Sequence, residues 1–208
     1  MKTLKKALVT GLVAVMMVVN LAGCGKFDAA AYVESCLDLL TKGETEQYMK
    51  MTGRSKEQAE SYESNIDAMM TEMDQFNLSD ELSNSYRQLF KDVYAKAKYT
   101  VKDAEKMDDK DGYYVTVEIE QMTGLFNGIQ EELMTEFTEW ANSFDADTYP
   151  TEDEMYEQMY QMMYDLMSAR VDSITYNDPQ EVVVEVIGED NVYSISDGSM
   201  TELDEALL

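Results

Sequence analysis

The chain has 208 residues, with 42 Asp and Glu against 16 Lys and Arg, a net charge of −26 and no His. Such an excess of acid excludes nucleic acid as a natural partner and disfavours polybasic attachment to anionic lipid, because both draw their affinity from Lys and Arg. The lack of His removes Ser-His-Asp and Cys-His catalysis and His-ligated zinc or haem.

The chain opens with the pattern of an export signal. Lys2, Lys5 and Lys6 form a positive start, and Ala7 to Val19 is an uncharged, mostly apolar run. That run falls short of the roughly 20 apolar residues of a comfortable membrane span. It ends in Leu21-Ala22-Gly23-Cys24, which resembles the lipobox of bacterial lipoproteins. The resemblance implies cleavage just before Cys24 and a diacylglyceryl group on its thiol. Residues 1–23 are then the signal, 24–26 a lipidated tether, and 27–208 a single extracytoplasmic domain on the outer face of the bacterial cell membrane. Two or three acyl chains anchor stably where one is marginal. Cleavage removes three lysines and no acid, which takes the net charge from −26 to −29 and favours solubility. With Cys24 lipidated, Cys36 has no partner within the chain, so the fold is expected to rest on its core, without a disulfide and without a cofactor.

Two prolines and the lack of a long Gly/Ser/Pro linker favour one domain. Asp28 caps a helix bearing Val33, Cys36, Leu37 and Leu40 at helical spacing, and Gly43 suits its end. A short helical turn follows from about Thr45 to Thr52, ended by Gly53. Ser55 with Gln58 makes a capping box for a long helix through Ala59, Tyr62, Ile66, Met69, Met73 and Phe76. Ser79 starts the next helix, filled by Leu82, Tyr86, Leu89, Phe90, Val93 and Ala97. The period then changes to two: Tyr99 and Val101 begin a strand, Asp108 to Gly112 is a turn, and Tyr113, Val115, Val117 and Ile119 line one face of the returning strand. Tyr114, Thr116, Glu118 and Glu120 line the other, which is expected to be wet, with helices on one side only. Phe126, Ile129, Leu133, Phe137, Trp140 and Phe144 form a helical apolar stripe. Asp145 to Pro150 is a loop, and Thr151 with Glu154 makes a capping box for a Met- and Tyr-rich helix to about Asp172. Gln180 to Ile187, a turn at Gly188 to Asn191, a strand through Ser196 and a short helix from near Ser199 close the chain. Runs of helices and hairpins indicate an α+β fold, with several N-terminal helices packed on one face of an antiparallel sheet.

Phe27-Asp28-Ala29-Ala30-Ala31-Tyr32-Val33, Lys98-Tyr99-Thr100-Val101, the hairpin Asp111 to Val117 and the closing strand with its short helix resemble uncharacterised lipoproteins of Gram-positive, clostridia-like bacteria. Their domain is similar to the cystatin-like or ketosteroid-isomerase-like cone. The resemblance implies a curved antiparallel sheet with helices on its concave side, and no known activity. The chain departs from the pattern at Tyr193, where related closing strands often carry Trp.

Candidate chemistry is sparse. Met155, Met159, Met163 and Met167 stack at i, i+4, and thioethers can hold monovalent copper, but Met is also an adaptable core filler beside aromatic rings. Asp109, Asp111 and Gly112 suggest a calcium loop, yet Met107 stands at the first ligand position and the flanks are strands, so a hairpin turn is expected. Cys36 lies on an apolar face with no Lys or Arg within a helical turn, the setting of a buried structural thiol. Glu118 and Glu120 share a strand face, and nothing places two carboxylates across a dry cleft. No phosphate loop or nucleophile elbow occurs.

Three classes of function remain open: a non-catalytic module binding an extracellular ligand or envelope protein, a structural cell-envelope interaction domain, and a carboxylate-based hydrolase or isomerase in a cone-fold pocket. The first leads, with a candidate groove between the Met/Tyr helix and the hairpin face, lined by Tyr113, Val115, Val117, Tyr156, Met159, Tyr160 and Met163.

Overall fold

Alternating apolar and polar residues build the sheet seen in the computed structural model, which describes residues 18–20, 27–59, 66, 67, 69–71, 73–145, 147–189 and 192–208. Its strands are β1 (Val18–Asn20), β2 (Lys98–Lys106), β3 (Gly112–Glu120), β6 (Gln180–Glu189) and β7 (Val192–Ile195), while β4 (Met122–Thr123) pairs separately with β5 (Thr175–Tyr176). The order is β1-β7-β6-β3-β2, antiparallel throughout. Val115, Val117 and Ile119 of β3 and Val184 and Val186 of β6 are fully buried on one face. The other face is wet: Tyr114 is 38% and Val183 50% exposed. Charge protects the outer edge, where Lys98 and Lys102 of β2 reach across to Glu120 and Glu118 at 3.8 and 3.4 Å.

Two turn residues fix the register of the central hairpin. A Cβ on Gly112 would lie 2.6 Å from the Val186 carbonyl oxygen and 2.9 Å from the Met107 sulfur, so only glycine fits. Asp111, weighed above as a calcium ligand, instead accepts the Tyr193 hydroxyl at 3.1 and 3.2 Å and so ties the turn to β7. Tyr193 in turn carries Phe27, stacked at 4.2 Å and 17°, with Tyr113 5.6 Å from the same Phe27 ring. The chain is thereby clamped where it enters the domain.

Strand β1 lies within residues 1–23, the expected signal, and so belongs to the uncleaved chain. Val18 to Asn20 pairs with Val192 to Ser194 at the sheet edge. An open edge presents unpaired N–H and C=O groups, and a β-branched Val-Val segment is well suited to cover them.

The helices are α1 (Ala29–Lys42), α2 (Glu46–Thr52), α3 (Lys56–Ala59), α4 (Asp80–Tyr94), α5 (Ile129–Ala141), α6 (Glu152–Ser168) and α7 (Asp197–Leu207). Local signals place their ends. Asp28 accepts from the Ala31 N–H at 3.1 Å, Gly43 closes α1 at φ 70°, and Ser79 accepts from Leu82 N–H at 3.2 Å. Thr151 and Glu154 form the expected capping box. Three boundaries differ from expectation. Of the long helix from Ser55, residues 56–59, 66, 67 and 69–71 are helical, with Ala59, Ile66 and Met69 buried as their spacing requires, but it gives way to a 3₁₀ turn at Asp74–Phe76 instead of running through Phe76; Tyr62 lies outside the described residues. Helix α6 stops at Ser168, with the 3₁₀ turn Val171–Ser173 after it. Helix α7 starts two residues early because Ser196, not Ser199, supplies the cap.

Helices α1 and α7 lie directly on the buried face of the sheet, α4 packs on α1, α6 on α4, and α5 on α6. The fold is therefore α+β, with the helices stacked in depth on one face of an antiparallel sheet. One continuous core runs from Val117 and Ile119 through Leu37 and Phe90 to Tyr160 and Met163.

Candidate functional site

The residues of the expected groove do not come together as one. Val115 and Val117 are sealed beneath α1 and α7, and Tyr160 and Met163 are 5% and 2% exposed. The Tyr160 ring packs 4.8 Å from Phe76 and 6.2 Å from Tyr86, whose hydroxyl donates to the Tyr160 carbonyl at 2.7 Å. Tyr156 and Met159 are half-buried on the same helix, and Tyr113 belongs to the Phe27–Tyr193 cluster. The physical reason is the layer order: α6 is separated from β3 by α1 and α4, so its Met/Tyr face fills core instead of facing the hairpin. Cys24 and its preceding Leu21, Ala22 and Gly23 lie outside the described residues. Cys36 is fully buried, and burial pushes its thiol well above the usual range, as suits an inert thiol.

Two polar clusters escaped the sequence reading. Beside the β2 edge, the Asp38 carboxylate accepts from the Tyr99 hydroxyl and the Lys42 ammonium, both at 2.6 Å, and the Lys42 nitrogen sits 4.8 Å from the Tyr99 ring centre. Burial, then Asp38, pushes the Tyr99 hydroxyl up to about 12. The neighbouring cleft of about 310 Å³ holds Lys98, Glu118 and Glu120, and these charges are matched by salt bridges. Such mutual pairing suits an edge-sealing network. The second cluster is one acid. Asp204 on α7 is fully buried, takes the Tyr94 hydroxyl at 3.3 Å on one oxygen, and has no hydrogen-bond partner among the described residues on the other. Burial raises its carboxyl to about 8, so it is largely protonated at neutral pH. It opens into none of the clefts lined by α5, α6 or β2.

Another cleft differs in kind. Around the turn between α5 and α6, Trp140, Phe144, Tyr149 and Pro150 with Glu154 and Glu157 line about 370 Å³. The i, i+4 spacing of Trp140 and Phe144 stacks their rings edge to face at 5.0 Å and 75°, and Phe137 follows at 5.4 Å from Trp140. These rings stay half-exposed because, among the described elements, α5 packs chiefly on α6: Ile129 and Leu133 are its buried residues, and Met134 is 59% and Tyr149 55% exposed. Both carboxylates are held in place. Glu154 accepts from the Thr151 N–H and hydroxyl at 2.8 Å, which keeps its carboxyl below the ordinary carboxylate range. Glu157 takes the Ser79 N–H at 2.9 Å on one oxygen and its hydroxyl at 2.5 Å on the other, tying α6 to the start of α4. No Lys or Arg stands among the described lining residues. The stripe Phe137, Trp140, Phe144 was legible in the sequence, but only as an apolar helix face.

No family model matches the chain, and no curated protein matches it. Among solved structures it is similar to a crystal structure from Bacillus subtilis described as that of "a putative lipoprotein", with 14% identity and a TM-score of 0.58. The match covers 86% of this chain and 55% of that one, so the present chain corresponds to about half of its length. The likeness is one of fold.

Proposed function

We propose that this protein is a lipid-anchored, non-catalytic binding module on the extracytoplasmic face of a bacterial cell membrane. The lipobox-like Leu21-Ala22-Gly23-Cys24 supports the anchor, and the fold similarity to a chain described as a lipoprotein is in keeping with it. The observation that carries the binding role is the aromatic cleft at the α5–α6 turn, where the fold leaves Trp140, Phe144 and Tyr149 partly open to water beside two oriented carboxylates. A purely structural domain gains nothing from leaving that apolar area unburied, whereas ligand sites combine apolar walls with a few placed polar groups. The ligand is an extracellular molecule or envelope component.

Trp140 is the sole tryptophan of the chain, so its emission reports on the cleft alone. Purified protein is titrated with fractionated cell-envelope extract and compared with the Phe144→Ala/Tyr149→Ala double variant. A saturable change in emission in the parent and its loss in the folded variant are expected. An unchanged emission with every fraction overturns the binding role, and turnover of any extract component would overturn the non-catalytic one.

A further inference from the structure

From the same cleft we infer a ligand class: a free, soluble quaternary ammonium ion, of the size and chemistry of choline. The inference rests on the binding role proposed above and narrows it. Trp140, Phe144 and Tyr149 line the cleft, and the quadrupoles of such rings attract a cation placed over them. The floor adds Glu154, held ionised by Thr151, and Glu157. The volume of about 370 Å³ suits a small organic ion and its first water molecules.

The hydrogen bonds already made decide between a primary ammonium and a quaternary one. Both oxygens of Glu157 are engaged by Ser79, and one oxygen of Glu154 takes both bonds from Thr151. About half of the accepting capacity of these carboxylates is thus spent inside the protein, while their charge still reaches the cleft. A Lys-like ammonium needs acceptors to replace its water. A trimethylammonium group needs none: it is weakly hydrated, presents methyl groups to rings, and is attracted by charge alone. The −26 charge of the chain enriches any cation at its surface. A free ion brings no phosphate up to Glu154 and Glu157, whose charge would repel one, which favours a free ion over a headgroup in a bilayer.

The test is Trp140 emission with choline, with its neutral isostere 3,3-dimethylbutan-1-ol, and with vesicles of phosphatidylcholine. Choline should produce a saturable change that weakens steeply with added salt, and the isostere should be inert. Tyr149→Ala should weaken choline roughly tenfold or more, and Glu154→Gln, which keeps the capping box but removes the charge, severalfold with a flatter salt response. An equal response to the neutral isostere would make the cleft merely apolar, and a response to vesicles without one to choline would replace the free ion by a lipid; either overturns the inference. Silence towards choline while envelope extract still shifts the emission overturns the ligand class and leaves the binding role standing. Silence towards both removes the two together.

Discussion

Among the described carboxyls, Asp204 is the one most sensitive to a change of pH, although it is among the least exposed to water. Its carboxyl has an ordinary value of 3.8 and stands at about 8 in the folded chain, first because of burial and then because of the neighbouring charge of Glu205. A carboxyl raised on folding binds its proton more tightly in the native state, so the native state loses stability as pH rises. Below about pH 4 both states are protonated and nothing is lost; between about pH 4 and 8 only the unfolded chain ionises; above that the full cost is paid. A tenfold difference in proton affinity is about 1.4 kcal/mol, so the span from 3.8 to about 8 amounts to the order of 5 kcal/mol. That is a large share of the roughly 5–15 kcal/mol of a typical domain. Asp204→Asn mimics the protonated acid without the option of ionising. Urea unfolding of both proteins at about pH 4.5, 6.5 and 8.5 isolates the effect, because every other acid is common to the two. The variant should lie within about 1 kcal/mol of the parent at the lowest pH and gain on it at each step, by several kcal/mol at the highest. A gap that stays constant with pH would refute the reasoning and place the Asp204 carboxylate in contact with water or a cation.

Other outcomes follow from the same coordinates. Tyr160→Ala and Met163→Ala should each cost about 3 kcal/mol in chemical denaturation, as core truncations, while Tyr149→Ala at the open cleft should cost under about 1 kcal/mol. Gly112→Ala should destabilise by about 2 kcal/mol or more, because its new methyl meets the Val186 carbonyl, and the denaturation midpoint reads this directly. The Cys36 thiol should resist a thiol reagent in the native protein and react at once in urea; rapid native reaction would contradict its burial. Intact mass of membrane-extracted protein should show residues 1–23 removed and a lipid adduct on Cys24, and Cys24→Ala should release the protein to the medium.

Periodicity made the elements legible but not their neighbours. The alternation Val115, Val117, Ile119 identifies a strand with one buried face from the sequence alone, and Asp28, Ser79 and Thr151 mark helix starts because a cap is a bond between residues three apart. Which helix covers that face is a question of long-range packing, and the Met/Tyr spacing of α6 is equally good against α4 as against a sheet. The open cleft was hidden for a related reason. Trp140 and Phe144 read as core because any apolar stripe does, and their exposure follows from α5 packing chiefly on α6 among the described elements. Asp204 gave no warning, since an acid in an acidic chain reads as surface until α7 is laid flat on β6.

The stacking of Phe27 on Tyr193 determines how far this domain could travel. If Cys24 carries the lipid, three residues separate the bilayer from a ring locked into the fold. At about 3.4 Å per residue that leash is about 10 Å long, no more than the width of one helix. Such a protein is mounted on its membrane and cannot sweep through the wall beyond it. A domain so tethered would meet only what comes within its own height of that membrane, which small diffusible molecules do far more readily than polymers fixed in the envelope.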